Sequence, residues 1–166
     1  MRFEKISYEQ WEKDFLKLFP YCSLEYIKNA YNNIQLPQSS TESSAGHDFF
    51  VPFEIDLIPE NDMITIPTGI RWITQSEEDK HTVLIICPRS GLGTKYGMRL
   101  SNTIGIIDAD YCNANNEGHV MAAVEIKKNH KLAAGDKFMQ GIIVPFIHCG
   151  ENNINKRTGG FGSTGE

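Results

Sequence analysis

From residue 49 onward the chain is cut into short apolar runs by turn-forming residues, and this punctuation limits the fold more than any other feature. Apolar runs fall at 49–57, 63–66, 70–73, 82–87, 104–107, 120–126 and 138–146. Between them lie Pro59-Glu60-Asn61-Asp62, Pro67-Thr68-Gly69, Pro88-Arg89-Ser90-Gly91 and Gly135-Asp136. Short runs rich in Val, Ile and Phe, bounded by Gly, Pro, Asn and Asp, read as strands. No helical periodicity separates them, so the strands pair antiparallel in a sandwich or barrel-like fold. The chain of 166 residues is long enough to bury one sizeable core without cross-links.

The first third reads differently. Trp11, Phe15, Leu18 and Phe19 recur at helical spacing over 7–19, with Ser7 as N-cap and Gln10 three residues on. Pro20 ends that element. Ser23 caps a second predicted helix over 24–31, with Leu24, Ile27 and Tyr31 on one face. Their aromatic stripe has to pack on something, either the body of the domain, a substrate or a second subunit. The chain therefore divides into a helical extension (1–33), a β domain (34–150) and a glycine-rich C-terminal segment (151–166). That last segment lacks the apolar content for a core.

Charge and cysteine usage narrow the function. A net charge of −5 excludes a general nucleic-acid binder, which needs a positive face for phosphates, but permits a nucleotide substrate held by a few cations. Cys22, Cys87, Cys112 and Cys149 are dispersed, with no C-x-x-C pair, so neither a disulfide framework nor a zinc site is expected. No segment has the ~18 consecutive apolar residues of a membrane span. Together these predict a cytoplasmic protein, neither bound to a membrane nor to a nucleic acid polymer.

Two stretches carry candidate chemistry. Residues 101–111, Ser-Asn-Thr-Ile-Gly-Ile-Ile-Asp-Ala-Asp-Tyr, start at an amide, pass through a strand and end in carboxylates and an aromatic ring. Such a stretch is either a core strand entering an Asp-rich turn or the floor of a small-molecule site. Pro88-Arg89-Ser90-Gly91-Leu92-Gly93 follows a strand and offers a guanidinium fork, a hydroxyl and backbone amides to an anion. It is not a P-loop, because the G-x-x-x-x-G-K-[ST] spacing is missing and no helical pattern follows. A plain turn with a surface arginine is the alternative.

Five stretches in order resemble the motifs of the trimeric dUTPase (dUTP diphosphatase) family. They are Ala45-Gly46-His47-Asp48-Phe49, the 88–93 hexamer, Gly105-Ile106-Ile107-Asp108-Ala109-Asp110-Tyr111, Gly135-Asp136-Lys137-Phe138-Met139-Gln140, and Arg157-Thr158-Gly159-Gly160-Phe161-Gly162-Ser163-Thr164-Gly165. The resemblance covers about residues 34–166; the second, third and fifth motifs match closely. It implies a mainly β, jelly-roll or β-barrel subunit with a short N-terminal helical extension and a flexible glycine-rich C-terminal arm. It further implies a homotrimer with active sites shared between subunits, and hydrolysis of dUTP to dUMP and pyrophosphate with Mg²⁺ on the triphosphate. Carried over by position, Asp108 would activate the attacking water and Tyr111 would pack on the deoxyribose. Asn102, Gly105 and the strand near Met121 would read uracil. Arg89, Ser90, Gly91 and Gln140 would hold phosphates. From the arm, Phe161 would stack on the base, while Arg157, Ser163 and Thr164 would clasp the terminal phosphate. Asp48 would support the phosphate and metal region indirectly, with no protein ligand directly on the metal.

The sequence departs from the family pattern in four places. His47 stands where an aromatic is usual, and no role is assigned to it. Residues 112–117, Cys-Asn-Ala-Asn-Asn-Glu, replace a short turn after Tyr111 and predict a loose polar hairpin tip. Lys137 keeps a charge but lacks the arginine fork. Lys156 and Arg157 both stand where one cation is needed. A regulatory, protein-binding member of the same fold is the alternative function, with 112–117 as its contact surface. A deoxycytidine-nucleotide deaminase on the related fold would need a catalytic Glu in the base pocket, and Asp108-Ala109-Asp110-Tyr111 follows the hydrolase pattern instead.

Overall fold

The structure is a computed structural model that describes residues 1–59 and 63–147. In chain order its elements are β1 (Arg2–Lys5), α1 (Tyr8–Leu18), α2 (Leu24–Asn32), β2 (Gln38–Ser39), β3 (Gly46–Phe50), β4 (Ile55–Leu57) and β5 (Ile64–Ile73). There follow β6 (Thr82–Pro88), α3 (Ser90–Tyr96), β7 (Arg99–Leu100), β8 (Gly105–Asp108), β9 (Val120–Glu125), β10 (His130–Leu132) and β11 (Lys137–Pro145). All described pairings are antiparallel. A four-stranded sheet runs β1-β5-β9-β7, a five-stranded sheet runs β2-β3-β11-β6-β8, and β10 pairs with β4. The mainly β architecture read from the turn pattern, and the jelly-roll-like fold that the family resemblance implied, are therefore present.

The strands alternate because one face of each sheet is buried. Val120, Ala122 and Val124 of β9 point inward, as do Leu84 and Ile86 of β6 and Ile107 of β8. With Phe49, Phe138, Ile66, Ile70 and Trp72 they form one hydrophobic core.

The helices join this core. Ser7 Oγ accepts the Gln10 amide (3.1 Å) and Ser23 Oγ the Tyr26 amide (3.2 Å), so both predicted N-caps operate. Trp11 and Phe15 are fully buried. Phe15 meets Phe53 edge-on at 5.0 Å, and the Trp11 indole N–H donates to the Ile27 carbonyl at 3.0 Å. The aromatic stripe thus packs on the body of the domain.

Four elements differ from expectation. Arg2–Lys5 forms an edge strand on β5, in register Phe3↔Trp72, so the N-terminal segment is not helical throughout. Pro67-Thr68-Gly69 is not a turn between two strands but an irregularity inside the single strand β5. There Pro67 pairs with Met121 and Ile70 with Val120, and Gly69 takes φ 71°. His130–Leu132 is a strand on β4. A helix, α3, follows Pro88-Arg89, where none was expected; its Ser-Gly-Leu-Gly-Thr-Lys-Tyr sequence is short and glycine-rich, so no apolar period was visible.

Candidate active site

A small apolar cleft lies beside β8. Its walls are Ile86, Leu100, Ile107 and the small side chains Ala122 and Ala123, and at its edge stand Asn102, Gly105 and Met121. Sequence reasoning named these last three. It missed the apolar wall, whose signal was only strand alternation. The pocket exists because the turn joining β7 to β8 is tight. The Thr103 amide donates to the Leu100 carbonyl (3.0 Å), Thr103 adopts φ 72°, and Ser101 N–H anchors the turn to Ala123 O at 2.9 Å. Asn102 is thereby held at the tip, exposed, at the border of this apolar cleft. A buried apolar slot with a few polar groups at its edge suits a small heterocycle.

A second group lies at the far end of β6. Asp48 on β3 is buried; its carboxylate accepts from Ser40 Oγ (2.6 Å) and pairs with Lys137 (2.9 Å) and Arg89 (3.4 Å). Burial works against its ionisation. Hydrogen bonds from Lys137 and Ser40, with the Arg89 charge, outweigh that and hold its pKa below the usual value. Gln140 sits between Asp48 and Cys87 in the sheet register. Arg89 caps α3, so Ser90 and Gly91 form its first turn, where leading amides lack helical partners. Arg89, Ser90, Gly91 and Gln140 are thus gathered beside a carboxylate that holds two cations. Sequence reasoning did not single out Ser40, and the local sequence does not reveal it.

Asp108 ends β8 opposite Val83 of β6, on the exposed face of the sheet. Tyr111 begins a 3₁₀ turn, Tyr111–Asn113, and is only 3% exposed. Its hydroxyl accepts from Asn116 Nδ2 (2.9 Å) and donates to the His119 carbonyl (3.2 Å). His47, assigned no role, packs its ring on Phe3 at 5.4 Å. The 112–117 tip, predicted to be loose, is folded down: Ala114 is buried and Glu117 binds Ser7. Arg157, Phe161, Ser163 and Thr164 lie outside the described residues. Among those described, no group of three or more His, Cys, Asp or Glu side chains surrounds a potential metal position.

A jelly-roll-like β domain with an apolar cleft bordered by an amide, an exposed carboxylate at the end of the same strand and a separate cation cluster has the features expected of a protein that handles a nucleotide. The sequence profile of the dUTPase family matches residues 32–165. The deoxyuridine 5′-triphosphate nucleotidohydrolase of Lactococcus lactis is 38% identical over 144 residues, covering 83% of this chain and 91% of that one. The Wigglesworthia glossinidia brevipalpis enzyme of the same name is 37% identical, covering 79% and 87%. The crystal structure of the Streptococcus mutans dUTPase superposes with a TM-score of 0.65 at 28% identity, covering 91% of this chain and 100% of its own. A dUTPase from phage phi11 of S. aureus, with a structural Mg(II) ion, shares the fold at a TM-score of 0.58 and 19% identity. This chain belongs to the dUTPase family.

Proposed function

We propose that this protein hydrolyses dUTP to dUMP and pyrophosphate. The observation that carries the reading is the line formed on β8 by the slot at Asn102 and Gly105, then Asp108 at the strand's end, in the order base, sugar, α-phosphate. Uracil enters the slot, where Asn102 and the neighbouring backbone meet its polar edge; cytosine would leave a donor or acceptor buried and unpaired. The covered ring of Tyr111 forms a wall beneath the deoxyribose. Asp108 accepts a hydrogen bond from water and takes its proton as the oxygen attacks the α-phosphorus, while the bond to the bridging oxygen breaks in line and pyrophosphate leaves. General-base help of this kind contributes roughly 10²–10⁴-fold.

The donor set fits Mg²⁺ carried by the substrate rather than by a protein cage. Asp48 is occupied by Ser40, Lys137 and Arg89, and no acidic cluster stands elsewhere among the described residues. When bound, Mg²⁺ would neutralise charge on the triphosphate oxygens. Asp48 supports that region by fixing the two cations.

The same geometry supports a homotrimer with shared sites. A nucleotide whose base lies at Gly105 and whose α-phosphate lies at Asp108 runs away from its own Arg89. Val83, opposite Asp108, and Arg89, which directly follows β6, are six positions apart, about 20 Å at ~3.3 Å per extended residue. The phosphate-binding Arg89, Ser90 and Gln140 would then come from a neighbouring subunit. The outward face between the two groups is apolar: Ile106 is 51% exposed and stands opposite Ile85, which in turn stands opposite Ile142. A contiguous apolar sheet face suits burial against another copy. Arg157, Phe161, Ser163 and Thr164 of the C-terminal arm would complete the site. Cys22, Cys87 and Cys112 are free thiols, which supports a cytoplasmic location, and no described helix is long and apolar enough to cross a membrane. Pyrophosphate release from purified protein with Mg²⁺ and each dNTP or UTP tests the reading. Turnover confined to dUTP is expected; absence of dUTP turnover would overturn it.

A further inference from the structure

The turn that carries Tyr111 is gripped by the N-terminal helix. Asn116 donates to the Tyr111 hydroxyl through Nδ2 (2.9 Å) and accepts the Gly118 amide through Oδ1 (3.2 Å). The next two residues, Glu117 and Gly118, both have positive φ, 58° and 73°. A side chain at 118 would lie 2.6 Å from the Cys112 backbone, so glycine is required there. Glu117 has no such freedom and is held in its left-handed conformation from outside the turn. Its carboxylate accepts the Ser7 amide (2.9 Å) and the Ser7 hydroxyl (2.5 Å), while Ser7 caps α1. His119 is wholly buried. Its Nε2 accepts the Gly69 amide at 2.9 Å and so carries no proton; Nδ1–H therefore donates to Asp14 Oδ2 of α1 at 2.7 Å. The carbonyl of the same His119 accepts the Tyr111 hydroxyl.

We infer that α1, acting through Ser7–Glu117 and Asp14–His119, positions Tyr111 and thereby sets discrimination against a 2′-hydroxyl, with Asn116 and Asp14 as the positioning residues. The inference rests on Tyr111 being the wall beneath the deoxyribose. Rejection of one oxygen atom requires a ring that cannot tilt. A tyrosine hydroxyl bonded both as acceptor and as donor, to groups that are themselves fixed, meets that requirement. The helical extension and the 112–117 insertion then share one task, one holding the other against the sugar site.

The test is the ratio of kcat/KM for dUTP over UTP, and for dUTP over dCTP, in the full chain. Asn116→Ala and Asp14→Ala are expected to lower the dUTP:UTP ratio about tenfold, the effect of one lost buried hydrogen bond. The dUTP:dCTP ratio, set at the Asn102 slot, stays unchanged. Asp14→Asn, which keeps an acceptor for the imidazole N–H, restores most of the loss. A merely structural role would reduce turnover of every substrate alike and leave both ratios fixed, and that result overturns the proposal. Tyr111→Ala separates the two levels. If it lowers the dUTP:UTP ratio while Asn116→Ala and Asp14→Ala do not, the sugar-wall reading stands and the positioning role fails; if it leaves the ratio unmoved, both fail. Should Tyr111→Ala not fold, Tyr111→Phe serves. It keeps the ring, loses both hydroxyl bonds, and is expected to lower the ratio at least as far as Asn116→Ala, with no further drop when Asn116→Ala is added to it.

Discussion

Asp108 is exposed at a strand end, Asp48 is buried against two cations and Asp79 accepts backbone amides, and the three carboxylates are expected to respond differently to substitution. Asp108→Ala should abolish pyrophosphate release from dUTP while nucleotide binding, followed by calorimetry, persists; undiminished turnover would remove Asp108 from the chemistry. Asp79 accepts the Gln75 and Ser76 amides and pairs with the chain's terminal ammonium. Those two backbone hydrogen bonds are the main cause of a pKa lowered from 3.8 to about 2. A depressed carboxyl pKa contributes stability above its unfolded value and loses it as pH falls through the folded one. Urea midpoints should therefore decline between pH 4 and about 2, and less steeply in Asp79→Asn. At this scale the candidates Arg89, Ser90, Asn102, Asp108 and Tyr111 were legible because a motif is a local string. Asp14, Ser40, Asn116 and His119 were not: each acts through a partner distant in sequence.

Helices α1 and α2 illustrate what periodicity does and does not convey. Their caps and buried faces follow from Ser7, Ser23, Trp11, Phe15 and Ile27, a pattern local to each helix. Phe15 is fully buried among Trp11, Phe19 and Phe53, so Phe15→Ala should lower the unfolding free energy by about 3–5 kcal/mol, measurable by denaturant titration. A loss well under 1 kcal/mol would mean that the extension does not share the core. Strands β1 and β10, with four and three residues, gave too little alternation to be seen, and the irregularity in β5 looked like a turn because Pro and Gly mark both. Helix α3 was hidden by two glycines, which lower helical propensity but do not forbid a seven-residue helix docked after Arg89.

For the whole molecule, the proposed shared site, with Asp108 and Arg89 far apart along one sheet, predicts that assembly is part of catalysis. Ile106→Glu, in the centre of the exposed apolar face, should reduce the particle mass seen by light scattering and abolish dUTP turnover together. Asp108→Ala and Arg89→Ala chains, each inactive alone, should regain activity when unfolded together and refolded as a mixture, since some sites then pair an intact Asp108 with an intact Arg89. No recovery would mean that each chain supplies both groups to its own site. The sequence by itself determined the strand-rich architecture, the helix caps and the ordered motifs, because turn chemistry, capping and periodicity act over a few residues. Only the tertiary structure decided that Asn102 borders an apolar slot, that Asp48 holds two cations, and that the insertion after Tyr111 is fastened to the N-terminal helix. Those arrangements depend on pairings such as Glu117 with Ser7 and His119 with Asp14, more than a hundred positions apart, and a linear pattern carries no sign of which distant partners will meet.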